Sequence, residues 1–415
     1  MGLPTEGITT EAALARLADM ASHDVRWRDG RAFTLAYSAG PDVLALAEQA
    51  YARFSGANAL NTDAFPSLRR MQADVVDIVA QWLHGPSGAA GFMTTGGTES
   101  LLLAVLAARE RARAERGATD VTVVLPASAH AAFEKAAFYF GVRTVRVPVG
   151  ADWRADVDAM AAAVDDRTAL VVASAPQYPQ GVIDPVAAVA ALAAERDINC
   201  HVDACMGGVA LPYLERLGEV VPPWDFRVEG VTSVSVDLHK FGYTAKGASV
   251  LLHRSKELRR YQTFVTDNWL GGVYGSSGLP GTKSGGSIAA AWAVIHHLGD
   301  AGYLDLTRRA RAATLALADG LRANDALVLR AEPDAMIVAF GARDPEALDV
   351  YAVADGLWAR GWYVDRQAPP ASLHCTVNAV HDGLVPALLA DLDAVVASCV
   401  MQRAGGGVGV YGTLE

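Results

Sequence analysis

Two residues of this chain pair a nucleophilic amine with a carboxylate, each at the end of an apolar, strand-like run. Lys240 lies within Ser-Val-Asp-Leu-His-Lys-Phe-Gly (235–242), following the run Val231 to Val236. Asp203 lies in His-Val-Asp-Ala-Cys (201–205), about one βα unit upstream. A lysine that can form a Schiff base and an aspartate that can hold a proton on a pyridine nitrogen are what pyridoxal 5′-phosphate (PLP) chemistry requires. Alone, a strand-terminal aspartate more often caps a turn. Together, both side chains can reach the carboxyl edge of one parallel sheet, where open α/β folds place their ligands.

Thr-Thr-Gly-Gly-Thr-Glu-Ser (94–100) precedes a strong helical stretch, Leu101 to Arg116. Glycines and a threonine at a helix start let backbone N–H groups and a hydroxyl converge on an anion, aided by the helix dipole. The same residues also make an ordinary turn and cap, and the Gly-x-x-x-x-Gly-Lys spacing of a Walker loop is missing. His130 is expected to open a helix after the Val121 strand, where an imidazole could stack on a planar ring or simply be a satisfied core histidine. His239, beside the lysine, divides in the same way between phosphate contact and packing.

The elements that must position these groups alternate. Strand-like runs at Val121 to Leu125, Arg143 to Val147, Ala169 to Ala173, Ile198 to Asp203, Val231 to Val236 and Ser249 to Leu252 are separated by alanine-rich helical stretches. That rhythm predicts βαβ units and a mainly parallel sheet with helices on both faces. In the stretch 184–196, Asp184 is the expected N-cap and Pro185 the first helical residue. After the Gly-rich segment 271–286, a long helix from Ser287 leads to a strand at Ala335 to Phe340, a helix at Glu346 to Arg360, a strand at Ser372 to Asn378 and a last helix. The expected organisation is an amino-terminal extension (1–55) with an amphipathic helix from Val43 to Phe54 suited to packing across a partner subunit, a large cofactor-binding domain (56–298) and a small α+β domain (299–415).

A chain of 415 residues is long enough for a large core with a smaller companion. The net charge of −11 argues against a nucleic-acid footprint. No apolar stretch reaches membrane-spanning length before a charge breaks it. The first twenty residues carry Glu6, Glu11 and Asp19 and do not read as a secretory signal, so a cytoplasmic protein is expected. The four cysteines (Cys200, Cys205, Cys375, Cys399) form no disulfide framework or zinc pattern and read as small buried residues; no metal is expected.

Several segments carry a resemblance. Gly96 to Ser100, Ser-Ala-His-Ala-Ala-Phe-Glu-Lys-Ala (128–136), Pro-Gln-Tyr-Pro-Gln-Gly-Val-Ile-Asp-Pro (176–185), His-Val-Asp-Ala-Cys-Met-Gly-Gly (201–208) and Asp-Leu-His-Lys-Phe-Gly-Tyr-Thr-Ala-Lys-Gly (237–247) resemble the sphingosine-1-phosphate lyase branch of the group II PLP-dependent decarboxylases. The similarity runs in order from about Gly30 to the tail Gly405 to Gly412. It implies a fold type I homodimer with interface active sites and a mainly parallel seven-stranded sheet. By motif, Lys240 would hold PLP, Asp203 would pair with its ring nitrogen and His130 would stack on the ring. Gly97, Thr98 and His239 would hold its phosphate, with Ser276 or Ser277 from the neighbouring subunit. Tyr37, Asn58 and Lys246 match positions that would hold a substrate phosphate. The chain departs from the branch at Asn61, where a histidine is usual, and at Lys283, where arginine is usual. A neutral amide and a cation without a bidentate fork would grip an anionic substrate less rigidly.

Overall fold

The computed structural model describes residues 2–400; the tail glycines 405–412 lie outside the described residues. Three helices, α1 (Thr10–Met20), α2 (Pro41–Phe54) and α3 (Pro66–Trp82), precede the first strand, β1 (Ala90–Thr94). Alternation then sets in: α4 (Gly97–Arg116), β2 (Thr122–Pro126), α5 (Ala132–Phe140), β3 (Arg143–Val147), α6 (Val157–Ala163), β4 (Thr168–Ser174), α7 (Val186–Glu195), β5 (Asn199–Asp203), α8 (Ala210–Arg216), β6 (Ser233–Asp237) and β7 (Ser249–His253).

These strands form a seven-stranded sheet in the order β1-β7-β6-β5-β4-β2-β3. The ladders from β3 to β6 are parallel, and β7 runs antiparallel to both β6 and β1. Strands β2, β4, β5, β6 and β7 are buried along their whole length, which is why they read as continuous apolar runs. From β4 the chain steps one way to β5 and β6, while β2 and β3 lie on the other side, so the order reverses here. Ligands of open α/β sheets lie at the carboxyl ends of the strands beside such a reversal.

Beyond β7 come α9 (Lys256–Arg259) and a short hairpin, β8 (Phe264–Thr266) and β9 (Tyr274–Ser276). The long helix α10 (Gly286–Ala323) is broken at Gly299, whose φ of 53° and ψ of −169° are far from helical. A smaller antiparallel sheet follows, β10-β11-β13-β12, from β10 (Leu327–Leu329), β11 (Ile337–Ala342), β12 (Asp365–Gln367) and β13 (Ser372–Thr376). It packs with α11 (Val350–Ala359) and α12 (Val385–Val400) around its own core, which includes Phe340, Val353, Trp362 and Leu388.

Several expectations need correction. Asp184 does not cap α7: its carboxylate accepts from the N–H groups of Ala155 and Ser174, both at 2.8 Å, tying β4 to the α6 approach. Pro185, not Asp184, is the cap, and the helix begins at Val186. Burial raises the Asp184 carboxyl to about 6 against the pull of those two donors. His130 lies in a turn two residues before α5, and α11 starts at Val350 rather than Glu346. Strands β1, β8, β9, β10 and β12 are additional to those read from the sequence, the last four because three residues carry too little periodicity. Val43 and Ala47 of α2 are buried in this chain's own main core. The amino-terminal segment is pinned to the small sheet's core, where Phe33 stacks on His381 at 3.8 Å between ring centres.

Candidate active site

The carboxyl ends of β5 and β6 open onto a cleft of about 590 Å³ whose lining includes Gly96, Gly97, Thr98, His130, Asp203, His239, Lys240 and Lys246. Asp203 is the last residue of β5 and Asp237 the last of β6, and the tight turn after β6 swings His239 and Lys240 over the sheet edge. Strand pairing alone brings the aspartate and the lysine together. The ammonium of Lys240 lies 2.9 Å from Asp237 Oδ2. Burial pushes this ammonium's pKa down, but the Asp237 carboxylate outweighs it and the net shift is upward. Burial likewise opposes the charge on Asp237, yet Lys240 and His239 carry the balance, and its carboxyl falls below its usual range. Ser249 donates to the other Asp237 oxygen at 2.5 Å.

Gly97 opens α4 directly against this pair. A Cβ there would stand 2.8 Å from both Asp237 Oδ2 and Cys205 Sγ, so only glycine brings the helix start this close. The side chain of Thr98 is exposed on the same turn. His239 lies between the two walls, its Nε2 3.7 Å from Asp237 Oδ2, and its buried Nδ1 has no hydrogen-bond partner among the described residues. Burial lowers its pKa despite Asp237. On the opposite wall, His130 Nδ1 accepts from the Ala132 N–H at 3.1 Å, which fixes the ring plane. Burial lowers the His130 pKa as well.

Lys246, in the cleft lining, and Tyr37 pack together. Lys246 Nζ donates to the Leu35 carbonyl at 2.7 Å and stands 5.1 Å from the centre of the Tyr37 ring. Burial, reinforced by repulsion from Lys240, lowers this ammonium to about 8. The Tyr37 hydroxyl reaches Met206 Sδ at 3.8 Å, and its ring packs edge-on against Phe241.

Six expected residues are not in the cleft lining of this chain, although one of them, Tyr37, packs on two that are, Met206 and Lys246. Asn58 accepts from the Leu60 N–H, and Asn61 accepts from the N–H groups of Asp63 and Ala64. Lys283 donates to the Met93 carbonyl at 2.7 Å over the Phe92 ring. Ser276 donates to the Gly278 carbonyl, and Ser277 shares a hydrogen bond with Thr263. Two functional-looking residues had no assigned role from sequence. Asp237 was signalled by its i,i+3 spacing to Lys240. Glu99 carried no signal: its carboxylate takes the Thr95 N–H and hydroxyl and, from 180 residues away, the Leu279 N–H at 2.8 Å, which fixes the cleft rim.

Residues 16–343 match the pyridoxal-dependent decarboxylase conserved domain. The chain belongs to that family. Within it, the chain is 40% identical to sphingosine-1-phosphate lyase 1 of Rattus norvegicus over 91% of its own length and 66% of the relative's, and so spans just under two thirds of that protein. It is 37% identical to the Arabidopsis thaliana sphingosine-1-phosphate lyase over 95% of this chain and 73% of the relative. Among solved structures, the Burkholderia pseudomallei sphingosine-1-phosphate lyase superposes with a TM-score of 0.92 at 39% identity, covering 97% of this chain and 93% of that one. Lactobacillus brevis glutamate decarboxylase shares the fold at a TM-score of 0.86 and 20% identity.

The family's cofactor is PLP, and the cleft has the chemistry to receive it. Gly97 leaves a recess that a Cβ would fill, a Cβ on the neighbouring Gly96 would meet the His239 ring at 3.7 Å, and the buried Nδ1 of that ring has no partner among the described residues. The amine of Lys240 and the carboxylates of Asp203 and Asp237 lie within the same walls. Among the described residues no cluster of acidic, histidine or cysteine side chains is arranged for a metal, and no helix is long and apolar enough to cross a membrane.

Proposed function

We propose that the chain is a PLP-dependent carbon–carbon lyase that cleaves a phosphorylated 2-amino alcohol, sphingosine 1-phosphate or an analogue, to an aldehyde and phosphoethanolamine. The observation that carries this reading is Lys246, a cation that lines the cleft 5.1 Å from the centre of the Tyr37 ring, where it would meet a substrate's phosphate. The similarity to sphingosine-1-phosphate lyases over most of the chain supports it.

Lys240 would hold the cofactor's aldehyde, Asp203 its ring nitrogen, and Gly97, Thr98 and His239 its phosphate. Bound PLP supplies an electron sink for the bond at Cα held perpendicular to its ring. The residues decide which bond that is. Lys246 and Tyr37, by anchoring the phosphate at one end, would turn the hydroxyl-bearing Cβ out of the ring plane. Loss of the hydroxyl proton then breaks Cα–Cβ, the aldehyde departs, and Cα regains a proton. His130, its Nδ1 occupied by the Ala132 N–H, would present a flat neutral face to the ring. Lys240 Nζ, once displaced by substrate, would keep its proton beside Asp237 Oδ2.

A homodimer in the cytoplasm fits this reading. The apolar hairpin residues Phe264, Val265 and Trp269 are exposed in one chain, and Ser276 and Ser277 lie on that hairpin or beside it rather than in their own cleft lining. A second reading, an α-decarboxylase acting on an amino acid, is favoured by one finding: a probable L-tyrosine/L-aspartate decarboxylase of Methanothermobacter thermautotrophicus is 33% identical over 94% of that relative. The PLP-loaded protein should release aldehyde from a long-chain base phosphate. Carbon dioxide from an amino-acid panel without any aldehyde would reverse the assignment.

A further inference from the structure

We propose that Ser233, His201 and Ser235 form a positioning relay that holds Asp203 as an oriented carboxylate with one oxygen reserved for the cofactor's ring nitrogen; the inference rests on the role of Asp203 given above. The geometry comes from strand register. His201 pairs with Ser233 and Asp203 with Ser235 across the parallel β5–β6 ladder, so all four residues share one face of the sheet. His201 Nδ1 lies 2.9 Å from Ser233 Oγ, and its Nε2 lies 3.2 Å from Ser235 Oγ. Ser235 Oγ lies 3.3 Å from Asp203 Oδ1.

Donor arithmetic fixes the direction of this chain. An ionised carboxylate only accepts, so the single Ser235 proton must point at Asp203 Oδ1. The Ser235 oxygen must then accept, from His201 Nε2–H and from the Cys205 thiol at 3.4 Å. His201 is completely buried, and burial lowers its pKa to about 4, so it carries one ring proton, which this direction places on Nε2. Nδ1 is left to accept from Ser233. Each dipole is aligned toward the carboxylate and favours its charge. Asp203 Oδ1 takes the Cys205 N–H at 3.1 Å as well, whereas Oδ2 has no hydrogen-bond partner among the described residues. A one-residue slip of β6 would turn both serines to the other face.

The test compares binding of PLP and of its 1-deaza analogue, which lacks the ring nitrogen, to cofactor-free wild type, Ser235→Ala and Ser233→Ala, with melting curves for each. Loss of one hydrogen bond to a charged acceptor predicts that Ser235→Ala weakens PLP binding by roughly 10-fold or more while changing the analogue's affinity by less than about 2-fold. Ser233→Ala, two links farther away, should show the same selectivity at about 3-fold, and it carries the test if Ser235→Ala does not fold. Equal weakening of both ligands would mark the relay as packing only and overturn the proposal. If wild type prefers PLP over the analogue and both variants keep the full preference, the relay falls while the role of Asp203 stands. If wild type binds the two alike, that role falls and the relay with it.

Discussion

The floor of the cleft and its rim use polar residues in opposite ways. On the floor, Asp203, Asp237, His239 and Lys240 are buried or nearly so, and their charges face one another across the ends of two adjacent strands. At the rim, Asn58, Asn61, Ser276 and Lys283 spend their donors and acceptors on nearby backbone. A buried charge costs several kcal/mol unless it is paired, so a floor so loaded is held ready for a charged ligand. The rim groups, outside the cleft lining of this chain, are already satisfied by its backbone. The same residue types therefore carry different weight in the two places.

The sharpest way to break this contrast is at Lys240. Lys240→Ala should lose all measurable turnover and all borohydride-stable attachment of the cofactor while melting within a few degrees of wild type. Peptide mapping that finds the label on another amine would remove Lys240 from the centre of the floor. Next in size is Gly97→Ala. The methyl would collide with Asp237 and Cys205, so cofactor affinity should fall by at least 10-fold, about 1.4 kcal/mol, in a direct titration. An unchanged affinity would show that the start of α4 does not need its close approach.

Lys246 tests the floor through pH. Its ammonium, lowered to about 8, is charged below that pH and neutral above it, so attraction for an anionic substrate is present below about 8 and lost as pH rises through it. KM for a phosphorylated substrate should climb above that pH. Lys246→Met should raise KM at neutral pH by roughly 30-fold, about 2 kcal/mol, and flatten the profile. A KM that stays flat in wild type would move phosphate recognition elsewhere. The smallest effect is expected at the rim. Asn61→Ala removes the acceptor for two N–H groups and should cost about 1 kcal/mol of stability with less than a 2-fold change in turnover. A loss of activity as large as that at Lys246 would erase the distinction between floor and rim.

The legibility of the site followed the same division. Lys240 and Asp203 could be picked out because each ends a buried apolar run, and parallel strands deliver their carboxyl ends to one edge. Gly97 could be picked out because glycine before a helix is a local signal. Asp184 misled for a related reason: an aspartate before Pro185 has the form of a cap, yet its carboxylate was claimed by N–H groups on β4 and before α6, which no local pattern displays. Glu99 was silent, since its partner Leu279 is distant in the chain.

By itself the sequence determined the alternation of strands and helices, the family, and the pairing of an amine with a carboxylate at one sheet edge, because burial periodicity and short-range motifs are written in neighbouring residues. Only the tertiary structure decided that Asp237 rather than Asp203 is the ion-pair partner of Lys240, that Lys246 lines the cleft beside Tyr37, and that His201 and two serines stand in line behind Asp203. Those relations depend on strand register and on the low dielectric of a closed interior, where a few ångströms decide which charges are paired.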